Sequence, residues 1–543
     1  MRAVPRRGGG HAPPPWLAFI GIVTGLAVVL PLLYLIIRTV GAGAEVLDLI
    51  LRARLLTVLV NTVVFMVVVA LGSVVIAVPV AFLTLRTDMP FRRFMAVATL
   101  IPLVVPSYVA GYVAVVALGP RGMLQQALEP LGVERLPEIY GLPGAAFVLT
   151  FISYPYVLLS VRAALIRMDP AMEEAARALG RNALQTFIGV TLPLLRPAVA
   201  AGALLVALYV LSEFGAVSLL RFETFTLAIY VQYESAFNPA AASSLALVLG
   251  VMALGIVWVE SSTRGRARYY RSSGGVTRPP SLVRLGRWRW PALALVCLPV
   301  LIGLVAPIGV LGYWLARGVA NGESLDFLGA ATRNSLWMAA LAGGVTVLLA
   351  APVALLAVRY PSRLSALLER MTYLGFALPG IVVALALVFV GANVAPAVYQ
   401  TQPLLLFAYV LLFISVGVGA LRTSLLQVSP HLEEAARSLG LSSWRAMLRV
   451  TLPLVLPGAL AGGAMVFLLT MKELPATLIL GPAGFDTLAT AVWSTVSEAF
   501  FARAAVPALL LIVVTGPPTA YLVLREHHRR RADANLPTVE AVP

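Results

Sequence analysis

Charged side chains are scarce in this sequence. Asp, Glu, Lys and Arg make up 12% of its 543 residues, while 60% are hydrophobic, and soluble domains carry about 25% charged residues. Cysteine occurs once, at Cys297 in an apolar run, which excludes an intrachain disulfide and a metal site built from cysteines. The composition predicts an all-α polytopic membrane protein in which Cys297 serves packing.

Lysine is almost absent as well. The only one, Lys472, follows Met471 inside an apolar run, so the chain has no phosphate-binding loop that ends in Gly-Lys. The sequence therefore predicts no ATP-splitting enzyme, no catalytic residue and no cofactor in this chain. It shows no metal-ligand set either. A net charge of +16 would suggest a nucleic-acid partner in a soluble protein. Here the basic residues flank apolar runs, where they orient the chain in the membrane, so no nucleic-acid partner is predicted.

Twelve apolar runs are long enough to cross a bilayer, and their backbone requires them to be helices. If the N-terminus lies inside, the inner segments hold 30 of the 40 basic residues. Because basic residues concentrate on the cytoplasmic side, both termini are predicted to be cytoplasmic. Four of the predicted spans cover residues 94–118, 198–220, 371–395 and 458–480.

The twelve runs form two halves of six. Asn61 and Asn334 are 273 positions apart, and so are Pro106 and Pro379. Since six is even, the halves are predicted to be parallel repeats. The predicted domains are a cytoplasmic tail (1–15), a first half (16–262), a basic cytoplasmic linker (263–290), a second half (291–524) and a cytoplasmic tail (525–543). The eight arginines of the linker are expected to contact anionic membrane lipids.

The closest internal repeat lies in the predicted cytoplasmic loops 167–197 and 425–457. We call residues 170–197 the first EAA segment and residues 430–457 the second EAA segment. They are identical at 14 of 28 positions. In each segment the sequence predicts a helix, a bend and a second short helix. The signals are N-caps at Asp169 and Ser429, helix ends at Gly180 and Gly440, and turns into the next span at Leu192-Pro193 and Leu452-Pro453.

Both segments resemble the coupling motif of permeases from binding-protein-dependent ABC importers. That motif reads E-A-A, three residues, Gly, nine residues, an aliphatic residue, one residue and L-P. The candidate coupling residues are Glu173, Glu174, Ala175, Ala176, Arg177, Gly180, Leu192, Pro193, Glu433, Glu434, Ala435, Ala436, Arg437, Gly440, Leu452 and Pro453. Within each helix, Glu173–Arg177 and Glu433–Arg437 are expected to form i,i+4 ion pairs. The alternative without a coupling role is a pair of amphipathic helices on the bilayer surface.

The resemblance implies a type I ABC importer permease fold of twelve transmembrane helices. It implies two copies of a separate ATPase subunit, which bind ATP and grip the EAA segments. It also implies a periplasmic or extracellular substrate-binding protein and a location in the bacterial cytoplasmic (inner) membrane. The alternative from another class is a secondary transporter of six plus six spans, which would need no ATPase.

Two carboxylates occupy matching places in the predicted fifth and eleventh spans. Glu213 and Glu473 are 260 positions apart, and Lys472 precedes the second. Ionisable groups at such depth usually face a cavity or a partner. The three residues are therefore candidates for the translocation path or its gate. The alternative is a pair of structural ion pairs, Glu473 with Lys472 and Glu213 with Arg221.

The segments that contain these carboxylates suggest a substrate. Residues 212–233 and 472–493 resemble the corresponding parts of iron(III) importer permeases, in which the two halves are commonly fused. This resemblance implies ferric iron as the transported ion. Thiamine, polyamine, sulfate and phosphonate permeases are related, and each of these substrates stays open at this point.

Overall fold

The computed structural model describes most of the chain. The described residues are 13–41, 53–235, 238–264, 282–324 and 326–535. Most of the predicted N-terminal tail, residues 265–281 of the predicted linker and residues 536–543 of the predicted C-terminal tail lie outside them.

Ten helices in the described residues are long and apolar enough to cross a membrane. They are Pro15–Gly41, Arg54–Arg86, Leu142–Arg167, Ala183–Leu211, Pro239–Glu260, Gly286–Ala320, Asp326–Arg359, Gln402–Gln427, Ser443–Met471 and Phe501–Thr519. Two further spans are bent pairs, Arg92–Val104 with Ser107–Leu131 and Arg363–Gly375 with Gly380–Asn393. With each bent pair counted as one span, the described residues hold twelve spans, the number that the sequence predicts, and we number them in chain order.

The third and ninth spans are broken, so the prediction of continuous helices over 94–118 and 371–395 was wrong. The two pieces meet at 91° in span 3 and at 102° in span 9. Each second piece begins directly after a proline, Pro106 or Pro379, and Val105 and Leu378 before them are extended. Proline disfavours a helical conformation in the residue before it, which explains why both breaks fall at these positions.

Spans 5 and 11 begin earlier and end earlier than predicted. Their helices cover Ala183–Leu211 and Ser443–Met471, so the predicted bounds 198–220 and 458–480 were wrong. The expected turns at Leu192-Pro193 and Leu452-Pro453 were wrong as well. A π-helical turn precedes each proline, at Phe187–Thr191 and Met447–Thr451. Such a turn re-aims the backbone hydrogen bonds, so the helix continues past a residue that has no N–H to donate.

Short helices connect or follow the spans. They are Pro170–Ala178, Gly215–Leu219, Phe225–Glu234, Pro430–Ser438, Pro475–Leu480 and Leu488–Ser497. Across the residues that the structure describes there is no β-strand, and a single isolated bridge joins Thr87 to Val283. The last helix runs on from span 12 as far as Asn535.

Packing divides the chain into two compact units, and each unit draws on both sequence halves. Unit 1 comprises Met1–Val58, Phe225–Leu254 and Ser324–Glu498, and unit 2 comprises Leu59–Thr224, Gly255–Glu323 and Ala499–Pro543. Span 1 therefore belongs with spans 8–11, while spans 7 and 12 belong with spans 2–5.

The buried contacts inside each unit show this exchange. In unit 1, Leu17 of span 1 packs against Leu356 of span 8 and Leu368 of span 9. In unit 2, the rings of Trp314 in span 7 and Phe501 in span 12 lie 5.9 Å apart. The predicted halves thus describe the sequence repeat, whereas the units describe where the apolar side chains are buried.

Candidate functional site

Each EAA segment opens with a short capped helix. The Asp169 carboxylate accepts a hydrogen bond from the backbone N–H of Ala171 at 3.0 Å, and the Ser429 hydroxyl accepts one from His431 at 3.4 Å. Both predicted N-caps are confirmed. The helices end before Gly180 and Gly440, whose φ angles are +87° and +89°. Glycine adopts this left-handed conformation without steric cost, so the predicted helix ends are also confirmed.

The motif residues divide between two faces of the first short helix. Glu173 and Ala176 are buried, whereas Glu174 and Ala175 are exposed. In the second helix Ala436 is buried, and Glu434 and Ala435 are exposed. At the motif itself the outward side thus presents a glutamate and a small alanine, and the inward side carries a carboxylate toward the protein.

A buried ion pair holds the first EAA segment. The Arg86 Nε lies 3.7 Å from the Glu173 Oε2, and both side chains are only 3% exposed. The Thr191 hydroxyl donates to the Glu173 Oε1 at 2.9 Å, and the Arg86 Nη2 donates to the backbone oxygen of Leu165 at 3.0 Å. Removing one partner of a buried pair typically costs about 3–5 kcal/mol, because the other charge stays buried without compensation.

The second EAA segment has the same contacts in a more exposed setting. The Arg359 Nη2 donates to the Glu433 Oε1 at 2.9 Å and to the backbone oxygen of Val428 at 3.2 Å. The Thr451 hydroxyl donates to the same carboxylate oxygen at 2.7 Å. Here the arginine is 13% exposed and the glutamate 27%. We call the group Arg86–Glu173–Thr191 the first clasp and the group Arg359–Glu433–Thr451 the second clasp.

The sequence reading missed the arginines and threonines of both clasps. It assigned Arg177 and Arg437 as partners of the two glutamates, and those i,i+4 pairs stay predictions. A signal was present in the repeat. Arg86 and Arg359 are 273 positions apart, like the asparagine and proline pairs, and Thr191 and Thr451 are 260 apart, like the motif residues.

Before Thr191 and Thr451, large apolar side chains are exposed at four matching positions of the two segments. They are Met172, Leu179, Leu184 and Ile188 in the first segment and Leu432, Leu439, Trp444 and Leu448 in the second. Leu179 and Leu439 are the most exposed, at 84% and 86%. A repeated apolar surface of this kind marks a site of contact with another protein or with the membrane.

Trp444 makes an aromatic contact that Leu184, the residue at the matching position, cannot make because leucine has no ring. Its ring meets the ring of Trp16 edge to face, with the centroids 6.1 Å apart. Trp16 lies at the start of span 1, which belongs to the same unit. The two segments are therefore anchored to different surroundings, although their motifs match.

The end of the linker attaches next to the first clasp. The N–H of Val283 donates to the backbone oxygen of Arg86 at 2.9 Å, and the N–H of Asp88 donates to the oxygen of Val283 at 3.1 Å. The Asp88 carboxylate accepts from the N–H of Leu285 and from the Arg289 guanidinium, both at 2.8 Å. Both bonds lower the pKa of Asp88 below its usual value, and the bond from Leu285 has a larger effect than the one from Arg289.

Glu213 and Glu473 lie just beyond the helices in which they were predicted. Spans 5 and 11 end at Leu211 and Met471. Each carboxylate then caps the short helix that follows, since the Glu213 Oε1 accepts from the N–H of Ala216 at 2.8 Å and the Glu473 Oε1 from Ala476 at 3.2 Å. Both residues therefore occupy a break between helices.

These carboxylates also reach the breaks of spans 3 and 9. Glu213 is hydrogen-bonded to the hydroxyl groups of Ser107 and Tyr209, and Ser107 opens the second piece of span 3. The Glu473 Oε1 lies so close to Gly380, the first residue of the second piece of span 9, that a side chain on this residue would collide with it. In each unit a carboxylate thus lies at the N-terminal end of a half-helix, where the helix dipole favours negative charge.

The duplicated asparagines perform the same task twice. Asn61 Nδ2 donates to the backbone oxygen of Glu223 at 3.2 Å, and Asn334 Nδ2 donates to that of Asp486 at 3.0 Å. They tie spans 2 and 8 to the loops that follow the carboxylates. In the described ranges no group of three or more His, Cys, Asp or Glu side chains is arranged to hold a metal ion. The proposed ion pairs of Glu213 with Arg221 and of Glu473 with Lys472 stay predictions.

The sequence matches a known protein family in both halves. The profile described as binding-protein-dependent transport system inner membrane component matches residues 73–260 and 346–517. The Fe(3+)-transport system permease protein FbpB 2 of Haemophilus influenzae is 35% identical over 518 residues, which cover 93% of this chain and 96% of that protein.

Two other relatives extend the comparison. The ferric transport system permease protein FbpB of Actinobacillus pleuropneumoniae is 26% identical over 70% of this chain and 58% of its own length. The molybdenum transport system permease protein ModB of Escherichia coli is 30% identical over 34% of this chain but 85% of its own length. The second relative therefore resembles one half of this chain.

Proposed function

The chain belongs to the family of binding-protein-dependent transport system inner membrane components, and from that premise we propose that it is the permease of an ATP-driven importer for ferric iron. Membership makes it a multi-pass membrane protein and a component of a transport system. The proposed substrate rests on the ferric transport permeases among its relatives, one of which matches almost the whole chain. A fused permease of this kind carries both membrane halves in one polypeptide.

The EAA segments are the proposed docking sites for two copies of an ATPase subunit. The observation that carries this proposal is the apolar surface that both segments expose at the same four positions. The exposed glutamate and alanine of each motif border that surface and leave room for close approach. An amphipathic helix on a lipid surface would carry basic residues instead of Glu174 and Glu434.

The proposed orientation follows from the basic residues. Both termini, the linker and the EAA segments lie on the cytoplasmic side, and a substrate-binding protein delivers the ion from the periplasmic or extracellular side. The three-to-one bias of basic residues supports this orientation. The membrane is then the bacterial inner membrane.

Docking is tested by capture of the ATPase subunit on the purified permease. The double variant Leu179→Glu with Leu439→Glu places two charges in the apolar surface, and we expect it to abolish capture. Leu131→Glu is the matched control, because Leu131 is 78% exposed in the predicted outer loop. Full capture by the double variant, or equal loss in the control, would contradict docking at the EAA segments.

The substrate is tested in vesicles that contain the permease, its ATPase and the substrate-binding protein encoded beside it. We expect ATP-dependent uptake of radioactive ferric iron. Uptake of thiamine, polyamine, sulfate or phosphonate in place of iron would keep the importer and overturn its proposed substrate. Uptake without any ATPase subunit would overturn the importer itself.

We propose a role in the path or gate for Glu213 and Glu473, with Lys472 beside the second. The support is their matched position at broken helices, where a small change in backbone angle moves the half-helix. Glutamine can accept the same N–H bond but carries no charge, so Glu213→Gln with Glu473→Gln separates the charge from the cap. We expect lower iron uptake with unchanged ATPase capture. Normal uptake would leave these residues a capping role only.

A further inference from the structure

The glutamate before each EAA motif joins the short helix that carries it, Pro170–Ala178 or Pro430–Ser438, to three spans of the same unit. Glu173 binds Arg86, the last residue of span 2, and Thr191, which lies in the long helix of span 5. Arg86 in turn donates to a carbonyl oxygen near the end of span 4. In the second clasp Glu433 binds Arg359 of span 8 and Thr451 of span 11, and Arg359 donates to the carbonyl oxygen of Val428, the residue after span 10.

The clasps matter because of how the chain connects these parts. The first EAA segment continues directly from span 4 and into span 5, so the chain itself carries a displacement to both. Span 2 has no such connection, since spans 3 and 4 separate it from the segment in sequence. Any motion of the segment must reach the end of span 2 through contacts, and the ion pair at Arg86 is one that combines charge with burial.

Resting on the proposed docking of ATPase subunits, we propose that Arg86 and Arg359 are positioning residues that carry the displacement of each EAA segment to spans 2 and 8. The carboxylate is the joint. It is bound on one side by the arginine and on the other by the threonine, so the short helix cannot shift without moving both neighbours. Asn61 and Asn334 then tie the same two spans to the loops that follow the short helices capped by Glu213 and Glu473.

A pair that transmits motion and a pair that only stabilises the fold differ in their effect on the number of ions transported per ATP hydrolysed. An ion pair that only stabilises the fold lowers the yield or the unfolding temperature when it is removed, yet the protein that remains transports normally for each ATP that it hydrolyses. A transmitting pair changes that ratio, because the ATPase still docks and still turns over while the spans no longer follow.

The test uses the complete transporter in vesicles and measures ions transported per ATP hydrolysed. Arg86→Gln and Arg359→Gln keep a polar side chain but remove the positive charge, and they leave the carboxylate and its bond from threonine in place. We expect full ATPase capture and a ratio that falls by roughly tenfold, the factor that corresponds to about 1.4 kcal/mol. Glu369→Gln is the matched control, because Glu369 pairs with Arg422 at 3.0 Å outside both EAA segments, and its ratio should stay unchanged.

Exchange of the charges supplies the second arm. Arg359→Glu with Glu433→Arg should regain most of the ratio that either single change loses. An unchanged ratio in the glutamine variants overturns the proposal, and so does an equal fall in Glu369→Gln. If Arg86→Gln does not fold, the more exposed second clasp gives the result through Arg359→Gln. Absence of ATPase capture by the unaltered chain would instead refute the proposed function, so the two failures are distinguishable.

Discussion

The two EAA segments share their motif but differ in how deeply their polar contacts are buried. In the first clasp the arginine and glutamate are each 3% exposed, whereas in the second they are 13% and 27% exposed. A second matched position shows the same trend. Arg162 is buried and donates to the backbone oxygen of Ala96, while Arg422, 260 positions later, is 45% exposed and pairs with the carboxylate of Glu369.

The difference originates in parts of the chain that do not repeat. The linker end at 282–289 attaches to the loop that follows Arg86. Trp16, at the start of span 1, contacts the second segment instead. A repeat therefore fixes which residues meet, and the unique flanking segments decide how far water reaches them. Because buried charges interact more strongly than exposed ones, equal residues contribute unequally.

The largest effect should come from removing the arginine of each clasp. We expect Arg86→Ala to destabilise the protein by about 3–5 kcal/mol, since it leaves Glu173 buried without a countercharge. We expect about 1.5–3 kcal/mol for Arg359→Ala, where water reaches the carboxylate. Thermal unfolding midpoints of the purified variants in detergent compare the two. Equal shifts would show that the observed difference in burial has no energetic consequence.

A smaller effect is expected at the aromatic contact of the second segment. Trp444→Leu gives that segment the residue type of the first and removes the contact with Trp16. Aromatic pairs contribute about 0.5–1.5 kcal/mol beyond their buried area, so stability should fall by about that amount. Leu184→Trp is the reciprocal variant and should yield no matching gain. A gain as large as the loss would mean that both segments offer the same surroundings.

The smallest effect is expected at the linker. Asp88→Asn removes the ion pair with Arg289, and we expect faster hydrogen exchange in the peptide over 282–289 with little change in overall stability. The folded-state pKa of Asp88 is lowered, so its stabilising contribution is present above the usual Asp value of about 3.9. It is lost only as the pH falls through the lowered pKa.

Protection of this peptide in the unaltered protein should therefore be constant from about pH 5 to pH 8, after correction for the intrinsic exchange rate. A loss of protection within that window would show that another group controls the attachment of the linker. Unchanged exchange in the Asp88→Asn variant would show that the backbone bonds to Val283 hold the linker by themselves.

Local patterns predicted the caps and the repeats correctly, because each rests on a few neighbouring residues. Asp169, Ser429, Gly180 and Gly440 act as their types predict. Hydropathy also located the twelve spans of the described residues. It overlooked the bends at Pro106 and Pro379, since an average over many apolar residues does not register a two-residue interruption. It also placed Glu213 and Glu473 inside helices that end two residues earlier.

Local sequence patterns could not predict the contacts between residues that are distant in sequence. Arg86 and Glu173 are far apart in sequence, and the nearer Arg177 was the simpler partner to choose. The prolines at 193 and 453 were expected to turn the chain, yet a preceding π-helical turn accommodates each of them. Both errors share a cause, because tertiary packing selected an arrangement that local preference ranked lower.

The placement of span 1 within unit 1 has a consequence for biogenesis. Leu17 is made early, but its partners Leu356 and Leu368 leave the ribosome more than 300 residues later. At about 5–20 residues per second, span 1 waits on the order of 15–70 s with its packing face toward lipid. Span 1 is therefore synthesised long before it can be buried. Quality-control proteins that recognise unpacked spans can bind span 1 before the rest of unit 1 has been synthesised.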